Sequence, residues 1–316
     1  MDDVERTERI VVQKADKIWL DGELVDWDKA NVHVLTHTLH YGLGAFEGIR
    51  CYQCEDGRSQ VFRLRDHVRR LFDSAHLLMM DIPFSQEEIF EACKETLRAN
   101  KQEEAYLRPL VFFGDGAMGL GSAENKVRLA IITWKWGAYL GEEALEKGIH
   151  AKVSSYMRNS PRSLFPKGKV VGHYVNSILA KREAMLAGYD EAIMLDGEGF
   201  VSEASGENIF IVRDGVVKTP GYSTGALGGI TWDTVVKLLG DMNIPVEFDR
   251  FARDELYLAD EVFMCGTAAE ITPVRAVDER KIGEGKRGPI ATKVQKAYFD
   301  LMHGKYGARE EWLDFL

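Results

Sequence analysis

The chain has 316 residues, 45% of them hydrophobic and 28% charged, enough for one large or two smaller domains with a sizeable core. A formal net charge of −10 excludes nucleic acid and anionic lipid as expected partners, so an anionic ligand must be held by a few local arginines. Apolar runs such as Arg128–Trp134 are too short to span a bilayer, and the charged N-terminus lacks a secretory stretch; a cytoplasmic protein without a membrane partner is expected.

Residues 1–16 read as an extension. Lys17–Trp27 holds two short strand patterns around Asp21-Gly22, a hairpin signal. Strand-like stretches follow, broken by Gly42, Gly44 and Gly48, with Val32, Val34 and Thr36 alternating as in a strand. A helix is predicted over about 66–80, with Val68, Leu71, Phe72, Ala75 and Leu78 on one face. The next helix starts at Ser85, where Ser85-Gln86-Glu87-Glu88 is a capping box. Glu104–Phe113 and Lys126–Trp136 read as buried strands, and Gly137–Gly148 as a connection between two halves. The strand His150–Tyr156 and a helix over Tyr174–Leu186 come next. Met194–Val201 and Val212–Thr219 carry two further hairpin signals. Gly225–Leu239 is a glycine-rich loop entering a helix, Glu261–Val274 contains a strand ending at Gly266, and a last helix spans about 290–302. Many short antiparallel strands with interspersed helices make an α+β class. The expected division is a small domain over 17–135, an interdomain loop over 136–147 and a large domain over 148–316.

Cys51 and Cys54 have the spacing of a redox pair, but they stand on a strand running into a turn, not at a helix N-terminus that lowers a thiol pKa. With no second such pair, neither they nor Cys93 and Cys265 make a zinc site. His33, His37 and His40 would need a helix to converge on a metal. The strand reading sets residues four apart about 13 Å from each other, so no metal is expected.

Gly225–Thr231 puts glycines before a helix, where backbone N–H groups and the helix dipole favour an anion. Cys265–Glu270 repeats the device after a strand. Together with a lysine they point to a phosphorylated cofactor. A lysine that forms a Schiff base must be desolvated to be nucleophilic. Lys167 lies between Pro166 and Gly168, in a turn expected to be solvated, whereas Lys169 precedes Val170 and Val171. Lys169 is the better candidate on burial alone.

Seven segments, in order, carry a resemblance: "LHYGLGAFEGIRCY", "AYLRPLVFFGDGAMGL", "WGAYLGEEAL", "KVVGHYVNSILAKREA", "VSEASGENIFIV", "GALGGIT" and "MCGTAAEITPV". From about Lys17 to the C-terminus the chain resembles the branched-chain-amino-acid aminotransferases, enzymes of the fold-type-IV class that use pyridoxal 5'-phosphate. "SEASGENIF" marks the wider class; "YGLGAFEGIR" and "YLRPL" are more specific.

The resemblance implies that Lys169 holds the cofactor and shuttles the substrate's Cα proton. It implies that Glu203 pairs with the pyridine nitrogen, that Tyr174 bonds the ring O3′, and that Arg70 binds the phosphate with the N–H groups of Ile230 and Thr231 and the hydroxyl of Thr267. Arg69 is then the exposed neighbour. On the substrate side it implies a wall of Phe46, Gly48, Trp136, Met118 and Leu120. Tyr41, Tyr139 and Arg108 would receive the glutamate side chain, and Tyr106, Thr267 and Ala268 the α-carboxylate. Trp136 and Tyr139 lie in a connection able to close over substrate. His173 departs from many relatives, and Gly116-Ala117-Met118 sits in a loop that in the family reaches a neighbouring subunit. The expected partners are amino acids, 2-oxo acids and a second copy of the chain. A D-amino-acid or (R)-amine transaminase, an aminodeoxychorismate lyase, and a fold-sharing binding protein without catalysis are the alternatives; Tyr106, Arg108 and the retained Lys169, Glu203, Tyr174 and Arg70 argue against them.

Overall fold

The computed structural model describes residues 12–121, 124–137 and 141–316, and two sheets organise them. Among the described residues the first sheet has eight strands. Its order is Leu313–Phe315, Ser59–Phe62, Ile49–Gln53, Ala105–Phe113, Val127–Trp134, Lys17–Leu20, Glu23–Asp26, with Gly44–Phe46 also paired to Ala105–Phe113. The first hairpin turns on Asp21 and Gly22, both at positive φ, the backbone that Asp-Gly favours in a two-residue turn. The Leu64–Leu77 and Gln86–Ala99 helices cover this sheet. Leu64, Val68, Leu71 and Ala75 recur at helical spacing and are buried together with Ile89, Cys93 and Leu97. Ser85 caps the second helix reciprocally: its Oγ accepts from Glu88 N at 3.2 Å, and Glu88 Oε2 accepts from Ser85 N at 2.7 Å.

The second sheet has nine described strands. Its order is Val201–Ala204, Glu191–Leu195, Ile149–Val153, Glu270–Val277, Glu261–Gly266, Asn208–Arg213, Val216–Thr219, Val246–Phe248, with Arg280–Lys281 at the side of Glu270–Val277. Ile149–Val153 and Glu191–Leu195 run parallel, a pairing that needs a crossover, and the Tyr174–Leu186 helix lies in it. The Ile230–Asp241 and Pro289–Met302 helices pack on one face with Phe210, Phe263 and Ile271.

Three expectations change. Residues 31–36 form no strand, and His37–Tyr41 is a short helix ended by Gly42 at φ 71°, whose N–H bonds Thr38 O. Val32 and Val34 are exposed and Thr36 is buried, so the alternation at 32–36 does not put one face inward. The three histidines then part: His37 Nε2 meets Gly119 O at 3.0 Å, His40 Nε2 meets Val34 O at 2.8 Å, and His33 Nδ1 accepts from Leu35 N. The connection between the halves contains the helix Glu142–Lys147. Finally, Leu313–Phe315 returns to pair with Ser59–Phe62, so the last residues belong to the first sheet.

Side chains and backbone stitch the two sheets together. Arg63 donates to Asp233 Oδ2 at 2.6 Å and to Thr234 Oγ1 at 3.1 Å, with its guanidinium over Trp312. Gly172 N bonds Gly42 O, and Ala45 bridges Val170. A cavity opens along this seam.

Candidate active site

The segment that carries the two lysines is pinned to the first sheet by its own backbone. Lys169 N–H donates to Ser74 Oγ at 2.9 Å, and Lys169 O accepts from Phe46 N at 3.0 Å. Lys169 is half-buried; its Nζ donates to Tyr174 Oη at 2.8 Å and lies 5.2 Å from the centre of the Phe46 ring. Tyr174 is presented by the first turn of its helix. Lys167 is exposed, as its turn led us to expect, and it makes contacts the turn did not announce. Its ammonium is not simply solvated: it donates to Tyr222 O at 2.8 Å and Ala226 O at 3.0 Å, over the Tyr222 ring. Pro166 and Gly168 are buried, which swings Lys167 against the loop before Gly228. Burial pushes its pKa down, against the pull of Glu203.

Lys169, Arg70, Glu203, Ile230, Thr231 and Thr267 all line one narrow cavity of about 40 Å³, together with Gly206, Glu207, Asn208, Leu227, Gly229, Cys265 and Gly266. Glu203 is 4% exposed at the end of a buried strand. Its Oε2 accepts from Leu227 N at 3.1 Å and Asn208 Nδ2 at 3.3 Å. Arg158 Nε lies 2.6 Å from Oε1 but off the N–H axis, so the ion pair is close while neither atom makes an aligned hydrogen bond. Burial raises the carboxyl's pKa, and Arg158 works against it. A buried carboxylate oxygen short of an aligned donor fits a protonated ring nitrogen.

At the cavity's other end the helix Ile230–Asp241 begins after Gly229, leaving first-turn N–H groups without intrahelical acceptors. Gly229 is required: a Cβ there would stand 2.0 Å from Asn208 Oδ1. Arg70 reaches this end and bonds Gly228 O at 2.9 Å. Two of its other N–H groups grip Glu47, Nε to Oε1 at 2.7 Å and Nη2 to Oε2 at 2.9 Å. Five guanidinium hydrogens less three leave two for a phosphate, so the donor set fits that group. Glu47 also takes His67 Nδ1 at 2.7 Å. Burial pushes the Glu47 carboxyl up, but Arg70 and His67 outweigh it and hold it far below the usual carboxylate range.

Beside Lys169 stands an aromatic box. Tyr106 and Arg108 are two apart on one strand and so face the same side. Arg108 Nη2 donates to Tyr106 Oη at 3.3 Å, and the guanidinium carbon lies 4.6 Å from the Phe46 ring centre. Trp136 meets Tyr106 edge-on at 4.4 Å. A Cβ on Gly48 would come within 1.9 Å of Tyr106 Oη, so glycine is what lets the phenol sit there. The backbone of Thr267 and Ala268 is held from behind by Arg50, whose Nε and Nη2 each bond one of their carbonyls at 3.0 Å and which also reaches Gly137 O.

Tyr41, Met118 and Leu120 are not brought to this cavity. Tyr41 is 43% and Leu120 93% exposed, and His37 ties their two loops together through Gly119 O and the Tyr41 ring. Tyr139 lies outside the described residues. Sequence reasoning missed Glu47, His67, Arg158, Arg50 and Asn208. Glu47 had a signal, an acid between an apolar strand and a glycine; Arg158 had none, standing in an irregular loop.

Residues 44–277 match the family model described as amino-transferase class IV. The branched-chain-amino-acid aminotransferase of Pseudomonas aeruginosa is 52% identical over 295 residues, 93% of this chain and 95% of that one. The solved Escherichia coli branched-chain amino acid aminotransferase superposes with a TM-score of 0.93 at 47% identity, covering 95% of this chain and 99% of that one. The branched-chain amino acid aminotransferase of Thermobaculum terrenum, solved in its PLP form, gives a TM-score of 0.90 at 34% identity, covering 95% of this chain and 98% of that one. With a lysine, a buried acid and an anion cradle around one cavity, and relatives of this identity along nearly its whole length, the chain belongs to the class IV amino-transferase family.

Proposed function

We propose that the cavity around Lys169 carries out transamination between branched-chain L-amino acids and 2-oxoglutarate. The observation that carries this is the opposition, across one cavity, of Lys169 and the underpaired Oε1 of Glu203. Pyridoxal 5'-phosphate, when bound, supplies the electron sink that lets the substrate's Cα–H bond ionise. Lys169 Nζ takes and returns the Cα proton, held in place by the Tyr174 hydroxyl at 2.8 Å. Glu203 holds a proton on the ring nitrogen, and the Arg158 charge opposes the upward push of burial on its carboxyl. Arg70 and the Ile230 and Thr231 N–H groups anchor the phosphate. Tyr106 and the 267–268 turn receive the α-carboxylate, with Arg50 fixing that turn. Phe46 and Trp136 offer an apolar wall to a branched side chain, and Arg108 offers a charge to the glutamate γ-carboxylate.

A second copy of the chain completes this reading. Leu39, Tyr41, Met118 and Leu120 form one exposed apolar corner, and Val175, Ile178, Leu179 and Leu186 another along the Tyr174–Leu186 helix. Apolar surface of this extent supports burial against a partner. No helix among the described residues is long and apolar enough to cross a membrane, which supports our placement of the reaction in the cytoplasm.

The test is single half-reactions with a panel of L- and D-amino acids and (R)-amines, followed by borohydride reduction and peptide mapping. L-leucine, L-isoleucine, L-valine and L-glutamate should react, and the adduct should map to Lys169. Turnover of D-amino acids, or an adduct on Lys167, overturns the reading.

A further inference from the structure

The wall behind Glu203 holds three buried acids, and they are not equally supplied with partners. Glu191, Glu203 and Glu207 are each at most 4% exposed. Two cations pair with them directly, Arg158 with Glu203 and Lys181 with Glu191 at 2.5 Å, and Lys169 and Lys167 act on Glu203 from further off. Glu191 is otherwise well supplied, its Oε1 accepting from Ser205 Oγ at 2.5 Å and Ala192 N at 2.7 Å. The turn after Ala204 brings Glu207 back into the same wall, with Ala204 N bonding Glu207 O at 2.8 Å. Its carboxyl receives one hydrogen bond, from Gly206 N to Oε2 at 3.1 Å, and among the described residues no cation lies within ion-pair distance of it. The thiol of Cys265, its neighbour from the adjacent strand, is buried and held protonated, burial first and Glu207 second.

Of the three buried acids, Glu207 is the one without a cation within ion-pair distance among the described residues. A buried group in that position takes up a proton sooner than bear the charge. Glu191 and Glu203 each have an ion pair and two hydrogen-bond donors, whereas Glu207 has one backbone N–H. Burial first and Glu191 next push the Glu207 carboxyl up to about 8, with Glu203 adding to them and Lys181 opposing.

We propose that Glu207 is a positioning residue that carries a proton at neutral pH and so keeps a second negative charge away from Glu203 and the ring-nitrogen end of the cavity. Its role toward the ring rests on the reading of Glu203 given above; its proton does not. When pH rises and Glu207 releases that proton to solvent, a carboxylate appears beside Glu203. Protonated forms of the groups around the cavity then become more favourable.

The experiment is infrared spectroscopy of the cofactor-loaded protein and of E207Q at about pH 6 and about pH 10, either side of the transition, with the visible band of the cofactor followed alongside. The native protein should show a protonated-carboxyl C=O band at the lower pH that is lost at the higher and absent from E207Q. Glu270, also buried and raised, contributes equally to both proteins and cancels in the difference. The visible band should shift across the same interval in the native protein and lose that shift in E207Q. An identical carboxyl band in both proteins, or none in the native one, overturns the assignment. A carboxyl band without the visible shift overturns the positioning role. If E207Q does not fold, E207D serves: it should keep a carboxyl band at a displaced frequency, and an undisplaced band places the proton elsewhere. Failure to bind cofactor at all would strike the functional reading, while the infrared difference still decides Glu207.

Discussion

Glu203 and Glu47 are both buried acids held by an arginine, and they do opposite work. Glu203 leaves one oxygen underpaired toward the cavity, so Glu203→Gln should retain cofactor and lose rate. The loss should be several kcal/mol of transition-state stabilisation, about the scale for removing a major electrostatic group. Single-turnover proton abstraction measures it, and an unchanged rate rules out the pairing with the ring. Glu47 faces inward, fully engaged by Arg70 and His67. Glu47→Gln breaks a buried pair and should cost about 3–5 kcal/mol of stability while loosening the phosphate grip of Arg70. The pH sign follows from the lowered carboxyl. Its stabilisation is present above the ordinary value of 4.5 and is lost as pH falls through the acid range, so the variant's denaturation midpoints should vary less with acid than the native protein's. Lys167 shows where local reading fell short. Its Pro-Lys-Gly context indicated a turn but not the Tyr222 and Ala226 carbonyls that the turn approaches. Lys167→Ala should therefore raise the cofactor's dissociation constant by roughly tenfold, the value of about 1.5 kcal/mol for a charge-assisted bond, with the loaded enzyme's rate changed little. Equilibrium titration checks this.

At the level of elements, legibility tracked locality. The Asp21-Gly22 hairpin and the Ser85 capping box are written in four or five consecutive residues, and the structure has both. The Val32–Thr36 alternation is equally local but had no sheet to join, and a glycine-terminated helix took the next residues instead. Leu313–Phe315 and Ser59–Phe62 are too short to signal alone, and their pairing spans most of the chain. The site is legible to the same degree. Lys169, Glu203, Ile230 and Thr231 stand in compact motifs and line the cavity, Tyr41, Met118 and Leu120 stand in equally compact ones and do not, and Arg50 and Arg158 act across distances that no local pattern carries. The strand Ala105–Phe113 gives a paired test. Gly48→Ala would drive a methyl into Tyr106 Oη, so both the leucine and glutamate half-reactions should fall. Arg108→Ala removes a charge that only glutamate can use and should cost roughly 2–4 kcal/mol against glutamate and far less against leucine. Equal losses in Arg108→Ala would assign the arginine to the shared α-carboxylate or to pocket shape.

At the scale of the molecule, the cavity lies where two sheets meet, and its walls come from both. Arg63 and Arg50 clamp that seam from the first sheet onto the second, so the groups lining the cavity keep their spacing only while the sheets stay docked. The same geometry leaves apolar surface outside. Val175, Ile178, Leu179 and Leu186 face away from the core on the helix that begins with Tyr174, and the Tyr41–Leu120 corner stands clear of the cavity. Burying such surface is worth about 25 cal/mol per Å², and a stable pair of subunits needs about 800 Å² on each. The helix face is continuous with the segment holding Lys169, so a partner seated there would brace that lysine as well as cover the apolar side chains. Ile178→Glu combined with Leu179→Glu should therefore shift the sedimenting species from a dimer or larger assembly toward the monomer. Specific activity should fall as the monomer fraction grows and recover with protein concentration. The dependence on concentration matters, because a merely misfolded variant would lose activity at every dilution. A native protein that sediments at the 35.6 kDa of one chain would remove the partner from the reading and leave Tyr41, Met118 and Leu120 outside the site.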